Sequence, residues 1–277
     1  MYTTILWEVR EHTGILTLNR PDRLNALDTV MREEIADAVH KAEYDPEVWT
    51  LIVTGAGRGF CSGADLKARA QAESAGGGNS ITTQPMFDVQ YYYPIAFGEL
   101  SKPVIAAVNG VTRGAGNNMA FSADFRVAAR GVTFESSEAK RWLLGGHSHG
   151  VVNNLPHAIA TEIAFAFRFT AERLYELGYL NRLVDADKLM AEARAMADHL
   201  LSLLPASRVN TLHMTRAMRG RVSDELEAYA KLLHQHGALS DRVESRKAFA
   251  ENRKPNWKGW DNPGDRERTP KFRLAGK

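Results

Sequence analysis

Apolar residues recur along this chain with two periods, and the switches between them outline the elements. Ile5, Trp7 and Val9 alternate with polar residues, Glu11-His12-Thr13-Gly14 interrupts, and Ile15, Leu16 and Leu18 follow. This pattern predicts a β-hairpin turning over residues 11–14. Asn19-Arg20-Pro21-Asp22 ends it. Met31, Ile35, Ala38, Val39 and Ala42 then repeat at helical spacing, so a helix is expected with Asp28 as its N-cap. Short apolar runs at 49–53, 104–108, 125–128 and 183–184 predict strands. A helix is expected to begin near Gly114. Helical patterns dominate from Pro156, with Gly178 as a stop, and residues 186–250 read as mainly helical. Alternating strands and helices followed by a run of helices predict an α/β core with a helical C-terminal region.

Between the elements lie segments of a different kind. Residues 55–67 form a glycine-rich turn, and residues 68–84 are polar and include Gly76-Gly77-Gly78. The latter read as a mobile loop or a frayed helix. From Glu251 the chain has eight Lys/Arg against four Asp/Glu, with several Pro and Gly. That tail is expected either to be disordered or to lie as an arm on a neighbour.

Composition narrows the function classes. A chain of 277 residues that is 44% hydrophobic and 25% charged has the makeup of a globular protein. Its formal net charge of +2 gives no reason to expect nucleic acid or an anionic membrane as partner. Cys61 is the sole cysteine, so no intramolecular disulfide can form, which suits a reducing compartment. The first ten residues include Glu8 and Arg10, lack a signal-peptide layout, and no apolar run approaches the length of a membrane span. A cytoplasmic location is the expectation.

Two strands each run into a turn of small residues, one at Ser62-Gly63-Ala64-Asp65 and one at Arg113-Gly114-Ala115-Gly116-Asn117-Asn118. Small residues let a carbonyl approach the backbone, and the first N–H groups of a helix have no internal acceptor. Two such turns face to face would make an oxyanion hole; apart, they are ordinary connections. Other patterns carry less. Gly146-His147-Ser148-His149-Gly150 fits a nucleophile elbow, but Arg141 to Gly145 is a poor strand before it. His147 and His149 lack a third metal ligand nearby in sequence. Gly55-Ala56-Gly57-Arg58-Gly59 lacks dinucleotide-loop spacing and a phosphate-loop lysine. Cys61 reads as a small packing residue.

Three longer stretches settle on one resemblance. Residues 19–27 (NRPDRLNAL), 59–67 (GFCSGADLK) and 102–110 (KPVIAAVNG) resemble, in order, three signatures of the enoyl-CoA hydratase/isomerase (crotonase) family. The similarity covers roughly residues 3–184, with a weaker echo at 246–259. It implies a crotonase-like spiral of repeated ββα units, residues 1–200 forming the core with the acyl-CoA site and 201–277 a helical trimerisation region and tail. It also implies a coenzyme A thioester as substrate, a homotrimer or dimer of trimers, and no metal or redox cofactor. The thioester carbonyl would be held by the N–H groups of Ala64 and Ala115, the latter standing where the family usually has glycine.

The family's hydratases carry two glutamates; the matching positions here are Asn118 and Glu138. An amide can orient water but is not a base at neutral pH, so two-carboxylate hydration is put in doubt. Glu138 alone could still move a proton, as in the family's double-bond isomerases and hydratase-lyases. The resemblance further implies substrate contacts from Arg23, Ala26, Ser62, Asp65, Leu66, Trp142 and His147. Arg23 and Lys67 are candidates for the coenzyme A phosphates, or are solvated surface charges. Tyr91, Tyr92, Tyr93, Pro94 and Phe97 either bound the acyl pocket or pack in the core.

Overall fold

Hydrophobic runs too continuous for a half-exposed sheet dominate the centre of the protein. The computed structural model describes residues 1–68, 97, 100–141, 155–219, 223–237, 239–260, 264 and 267–272. They fall into two compact units. The first takes in 1–65, 81–135 and 168–219, and the second 66–80, 136–167 and 220–277.

The first unit begins with the hairpin β1 (Ile5–Arg10) and β2 (Thr13–Leu18), followed by α1 (Thr29–Tyr44). Then come β3 (Thr50–Gly55), β4 (Gly59–Cys61), β5 (Val104–Val108), β6 (Val111–Arg113), α2 (Ala115–Ser122), β7 (Phe125–Ala129) and β8 (Thr133–Glu135). The second unit contributes the 3-10 turn Ser137–Lys140 and α3 (His157–Ala164). Back in the first unit lie β9 (Phe169–Thr170), α4 (Ala171–Glu176), β10 (Arg182–Val184), α5 (Leu189–Leu201) and α6 (Pro205–Ala217). Helices α7 (Asp224–Gln235) and α8 (Leu239–Ala250) belong to the second.

Strands β1-β2-β3-β5-β7-β10 form a six-stranded sheet, parallel from β2 onward, and β4-β6-β8-β9 form a four-stranded one. Each of β3–β4, β5–β6 and β7–β8 sends one strand into each sheet and then enters helical residues, which is the ββα repeat the resemblance implied. Strands β3 and β5 are buried throughout, as parallel strands covered on both faces must be. One cover is α5. Its Leu189, Ala193, Ala197 and Leu200 recur at helical spacing and pack on Ile15, Ile52, Ile105 and Val127 from four neighbouring strands. Helix α6 is tied to the sheet through Arg216, which donates to Asp124 at 2.6 and 2.8 Å and to the carbonyl of Leu100. Among the described residues no helix is long and apolar enough to cross a membrane.

Helix α1 starts as expected: the Asp28 carboxylate accepts from Met31 N–H at 2.9 Å, and Met31, Ile35, Ala38, Val39 and Ala42 are its buried residues. The hairpin differs from expectation. Glu11 and His12 alone make the turn, both with positive φ (47° and 60°), and Thr13 and Gly14 already belong to β2. Two consecutive left-handed residues match the strand twist in a two-residue turn. Gly14 serves packing instead, since a Cβ there would lie 2.7 Å from the Trp7 ring. Strands β4, β6 and β8 were not anticipated, because three residues are too few to display a period. The described part of the tail folds onto its own unit: Glu244 accepts from Arg253 and from Asn256 N–H, Asp241 from Lys258 and Gly259 N–H, and Pro270 O from Tyr229.

Replacing Asp28 with Ala removes the N-cap acceptor and is expected to lower the unfolding free energy by about 1 kcal/mol, with Asp28→Ser keeping most of it. Urea titrations of the two variants check this, and an unchanged midpoint for Asp28→Ala would contradict it.

Candidate active site

The first turn is built by an unusual companion segment. Leu24 and Asn25 both adopt left-handed φ (51° and 55°), which brings residues 24–27 alongside 62–65. Ser62 N–H donates to Leu24 O, Leu27 N–H to Gly63 O and Asp65 N–H to Leu27 O, at 3.0, 2.8 and 3.0 Å. Successive N–H groups of an extended segment point to opposite sides. The Ala64 N–H, lying between the bonded residues 62 and 65, points away from this companion. It donates to no acceptor among the described residues.

Buried polar side chains hold this arrangement. The Asn25 amide is completely buried; it accepts from Arg20 N–H at 2.8 Å and donates to Ala56 O and Gly59 O at 3.0 and 2.8 Å. Asn109 mirrors it, accepting from Gly55 N–H at 3.1 Å and donating to Gly57 O at 2.8 Å. Arg20 donates to Ala26 O and pairs with both Asp28 (3.2 Å) and Asp65 (3.1 Å).

The second turn joins β6 to α2. Gly114 has φ +46°, a conformation that favours glycine, and its N–H donates to Glu135 O at 2.9 Å. Ala115 opens the helix, so its N–H has no intrahelical acceptor, and it donates to none among the described residues. Arg113 braces the turn from behind, donating to Thr133 O at 2.7 Å and lying 3.8 Å from the buried Glu135, which also meets Arg168 at 3.4 Å. Burial lowers the Arg113 pKa and Glu135 opposes that effect, so the guanidinium stays charged.

The two turns meet backbone to backbone. A Cβ on Gly116 would come within 2.2 Å of Cys61 O, and one on Gly63 within 2.9 Å of Arg113 O and 3.4 Å of Ala115 N. They follow β4 and β6, which are adjacent parallel strands. Two amides without acceptors among the described residues therefore sit near each other at the same end of the small sheet. Ala64, Ala115 and Asn118 are partly exposed, whereas Gly63, Gly114, Gly116 and Asn117 around them are buried. Asn118 lies three residues past Ala115, on the same helical face. Main-chain donors at partly exposed positions, one of them opening a helix, suit a developing negative charge on oxygen.

Comparison with known proteins identifies the family. A model of the enoyl-CoA hydratase/isomerase family matches residues 9–261. The chain belongs to this family. It is 31% identical over 263 residues to a probable enoyl-CoA hydratase of Mycobacterium leprae, covering 92% of this chain and 98% of the relative. It is 33% identical to a carnitinyl-CoA dehydratase of Proteus mirabilis, covering 88% and 94% of the two chains. Among solved structures, a carnitinyl-CoA hydratase from Mycobacterium avium superposes with a TM-score of 0.75 at 28% identity, covering 93% of this chain and 99% of that one.

Other residues singled out in this enoyl-CoA hydratase/isomerase family enzyme fall in several places. Ser62 is partly exposed and its hydroxyl donates to Arg23 O at 3.2 Å. Ala26 is buried, while Arg23 and Lys67 are exposed. Asp65 is engaged by Arg20, so one of its oxygens already serves the turn. Leu66, partly exposed, is the first of the helical residues 66–68 and is assigned to the second unit. Glu138 also belongs to the second unit; it is partly exposed in the 3-10 turn, with one carboxylate oxygen shielded from solvent. Phe97 is fully buried. Trp142, His147, Ser148, His149, Pro94 and Tyr91 to Tyr93 lie outside the described residues.

Sequence reasoning missed Arg20, Asn25, Asn109 and Arg113, which hold the turns in place without lining them. The available clues were Asn25 within residues 19–27 and Asn109 before Gly110, since Asn tolerates left-handed φ and its amide can replace backbone partners.

Cys61 is buried, and burial pushes its thiol up to about 12. The native protein is therefore expected to resist a disulfide reagent at pH 8, with one thiol titrating only after denaturation; prompt native labelling would contradict this placement.

Proposed function

We propose that this enzyme is an acyl-CoA lyase or isomerase that works through a thioester enolate, most nearly an enoyl-CoA hydratase-like enzyme with one retained glutamate. One observation carries the reading: the Ala64 and Ala115 N–H groups lie near each other without acceptors among the described residues. They would bond the thioester oxygen more strongly as it gains charge, and so lower the barrier to removing the α-proton. Fixed dipoles supply that stabilisation, so no metal or redox cofactor is required in this proposal.

Glu138 is the proposed acid/base, on the strength of the sequence correspondence. In the dehydration direction its carboxylate takes the α-proton. The C–H pair becomes the enolate double bond and the carbonyl π pair moves onto oxygen. When the carbonyl re-forms, the enolate pair becomes the α,β double bond, and the β-hydroxyl leaves as water, protonated by the proton that Glu138 took from the α-carbon. Asn118 would hold that water or a substrate oxygen. Relatives named as a hydratase and a carnitinyl-CoA dehydratase support water addition or removal. Arg23, Ala26, Ser62, Asp65, Leu66, Trp142 and His147 are proposed to contact or frame the substrate, with Asp65 also bracing the turn through Arg20. A homotrimer or dimer of trimers in the cytoplasm completes the proposal.

A second reading rests on Asn118, an amide where a two-carboxylate hydratase has a glutamate. A single carboxylate suits double-bond migration or carbon–carbon cleavage on a bulky acyl group, and loss of chemistry altogether would leave an acyl-CoA binder.

Crotonyl-, 3-enoyl- and aromatic enoyl-CoA thioesters, assayed for turnover and for deuterium exchange at the α-carbon, separate these readings. We expect α-exchange with at least one of them, and Glu138→Gln to slow it by roughly 10²–10⁴-fold. Tight binding without exchange would favour the silent binder.

A further inference from the structure

The turn that carries Glu138 is short. Ser137–Lys140 is a single 3-10 turn whose N-cap, Ser136, makes no side-chain capping bond. At its other end Arg141 N–H donates to Glu138 O at 2.9 Å. One short turn of this kind is not stable by itself and takes its geometry from what surrounds it.

Within the same unit, α8 supplies directional contacts to that turn. Ser245 is 3% exposed, and its hydroxyl donates to Lys140 O at 2.6 Å. Arg141 donates to the same carbonyl at 2.9 Å and reaches the Ser245 hydroxyl at 3.5 Å. Its guanidinium lies 4.7 Å from the centre of the Phe249 ring, a cation–π distance. Ser245 and Phe249 are four residues apart, hence on one face of α8. A cavity of about 160 Å³ opens between Arg141 and the end of this helix, lined also by Ala248, Asn252 and Pro255. Close packing is therefore incomplete on this side, which leaves directional contacts to position the turn there. Arg253, also on the cavity, is taken up by Glu244 at 2.9 Å and Glu251 at 2.6 Å.

We propose that Ser245, Arg141 and Phe249 are positioning residues that fix the Glu138 turn against α8, so that the C-terminal helix sets where the acid/base carboxylate stands. The inference rests on the reading of Glu138 as that acid/base. A carboxylate must keep hydrogen-bond reach of the α-carbon proton, and a displacement of about 1 Å can cost on the order of 100-fold in rate.

The test compares Ser245→Ala, Phe249→Ala and Phe249→Tyr with Glu138→Gln, on whichever acyl-CoA shows α-exchange. Ser245→Ala and Phe249→Ala are expected to lower kcat and the exchange rate together by about 10–100-fold, with KM changed less than about twofold. Phe249→Tyr keeps the ring face and should restore the rate. In a Glu138→Gln background the Ser245 and Phe249 changes should add no further loss. If Ser245→Ala fails to fold, the Phe249 pair carries the test, because that ring is 44% exposed. Normal kcat in Ser245→Ala and Phe249→Ala, or a rise in KM alone, beside a crippled Glu138→Gln, would overturn the positioning role and leave Glu138 standing. Full exchange in Glu138→Gln would instead overturn Glu138 and this role together.

Discussion

Backbone contact between two turns is the constraint on which the rest depends. Gly116 lies so near Cys61 O that no side chain fits between them, and Gly63 stands in the same relation to Arg113 O. That closeness brings the Ala64 and Ala115 amides together. An unpaired N–H costs free energy unless water or a ligand satisfies it, so the pair remains only because the surrounding structure imposes it. Asn25, Asn109, Arg20 and Arg113 supply that rigidity with side-chain hydrogen bonds to the main chain, the one from Asn25 to Gly59 O being buried. Parallel strands β4 and β6 set the register, and the covered parallel sheet beneath them supplies the apolar mass.

The division of labour follows from chemistry. Peptide N–H groups are fixed dipoles that need no particular side chain, so alanine can stand where glycine is usual, as at Ala115. Proton transfer needs a titrating group, and there the chain is more restricted: Asn118 offers an amide, leaving Glu138 as the matching carboxylate. In the proposed reading, one base beside an enolate-stabilising pair of amides is compatible with several outcomes for the same intermediate. The acyl group and the destination of the proton distinguish them.

Much of this was legible in the sequence, for identifiable reasons. Helix α1 carries its cap and its apolar stripe within sixteen residues, so local rules sufficed. Strands β3 and β5 are buried runs bounded by Gly or Pro and were recognised as such. The three-residue strands of the small sheet were not, because their identity is conferred by pairing with distant partners. The hairpin was misread at Gly14 because a glycine beside a turn resembles a turn residue, whereas its role is to admit the Trp7 ring. At the site, motif order nominated Ala64, Ala115 and Asn118, while the Asn25 and Asn109 braces bond main chain 31 and 54 residues away, so their partners are set by the fold and not by a local pattern.

In the proposed mechanism, two main-chain amides polarise one thioester carbonyl. Infrared difference spectra of an acyl-CoA carrying a ¹³C-labelled thioester carbonyl, free and bound, address it without requiring turnover. The account predicts a clear shift of the bound carbonyl stretch to lower frequency, as expected for an oxygen accepting two strong hydrogen bonds. A bound thioester whose carbonyl absorbs where it does in water, or higher, would contradict it.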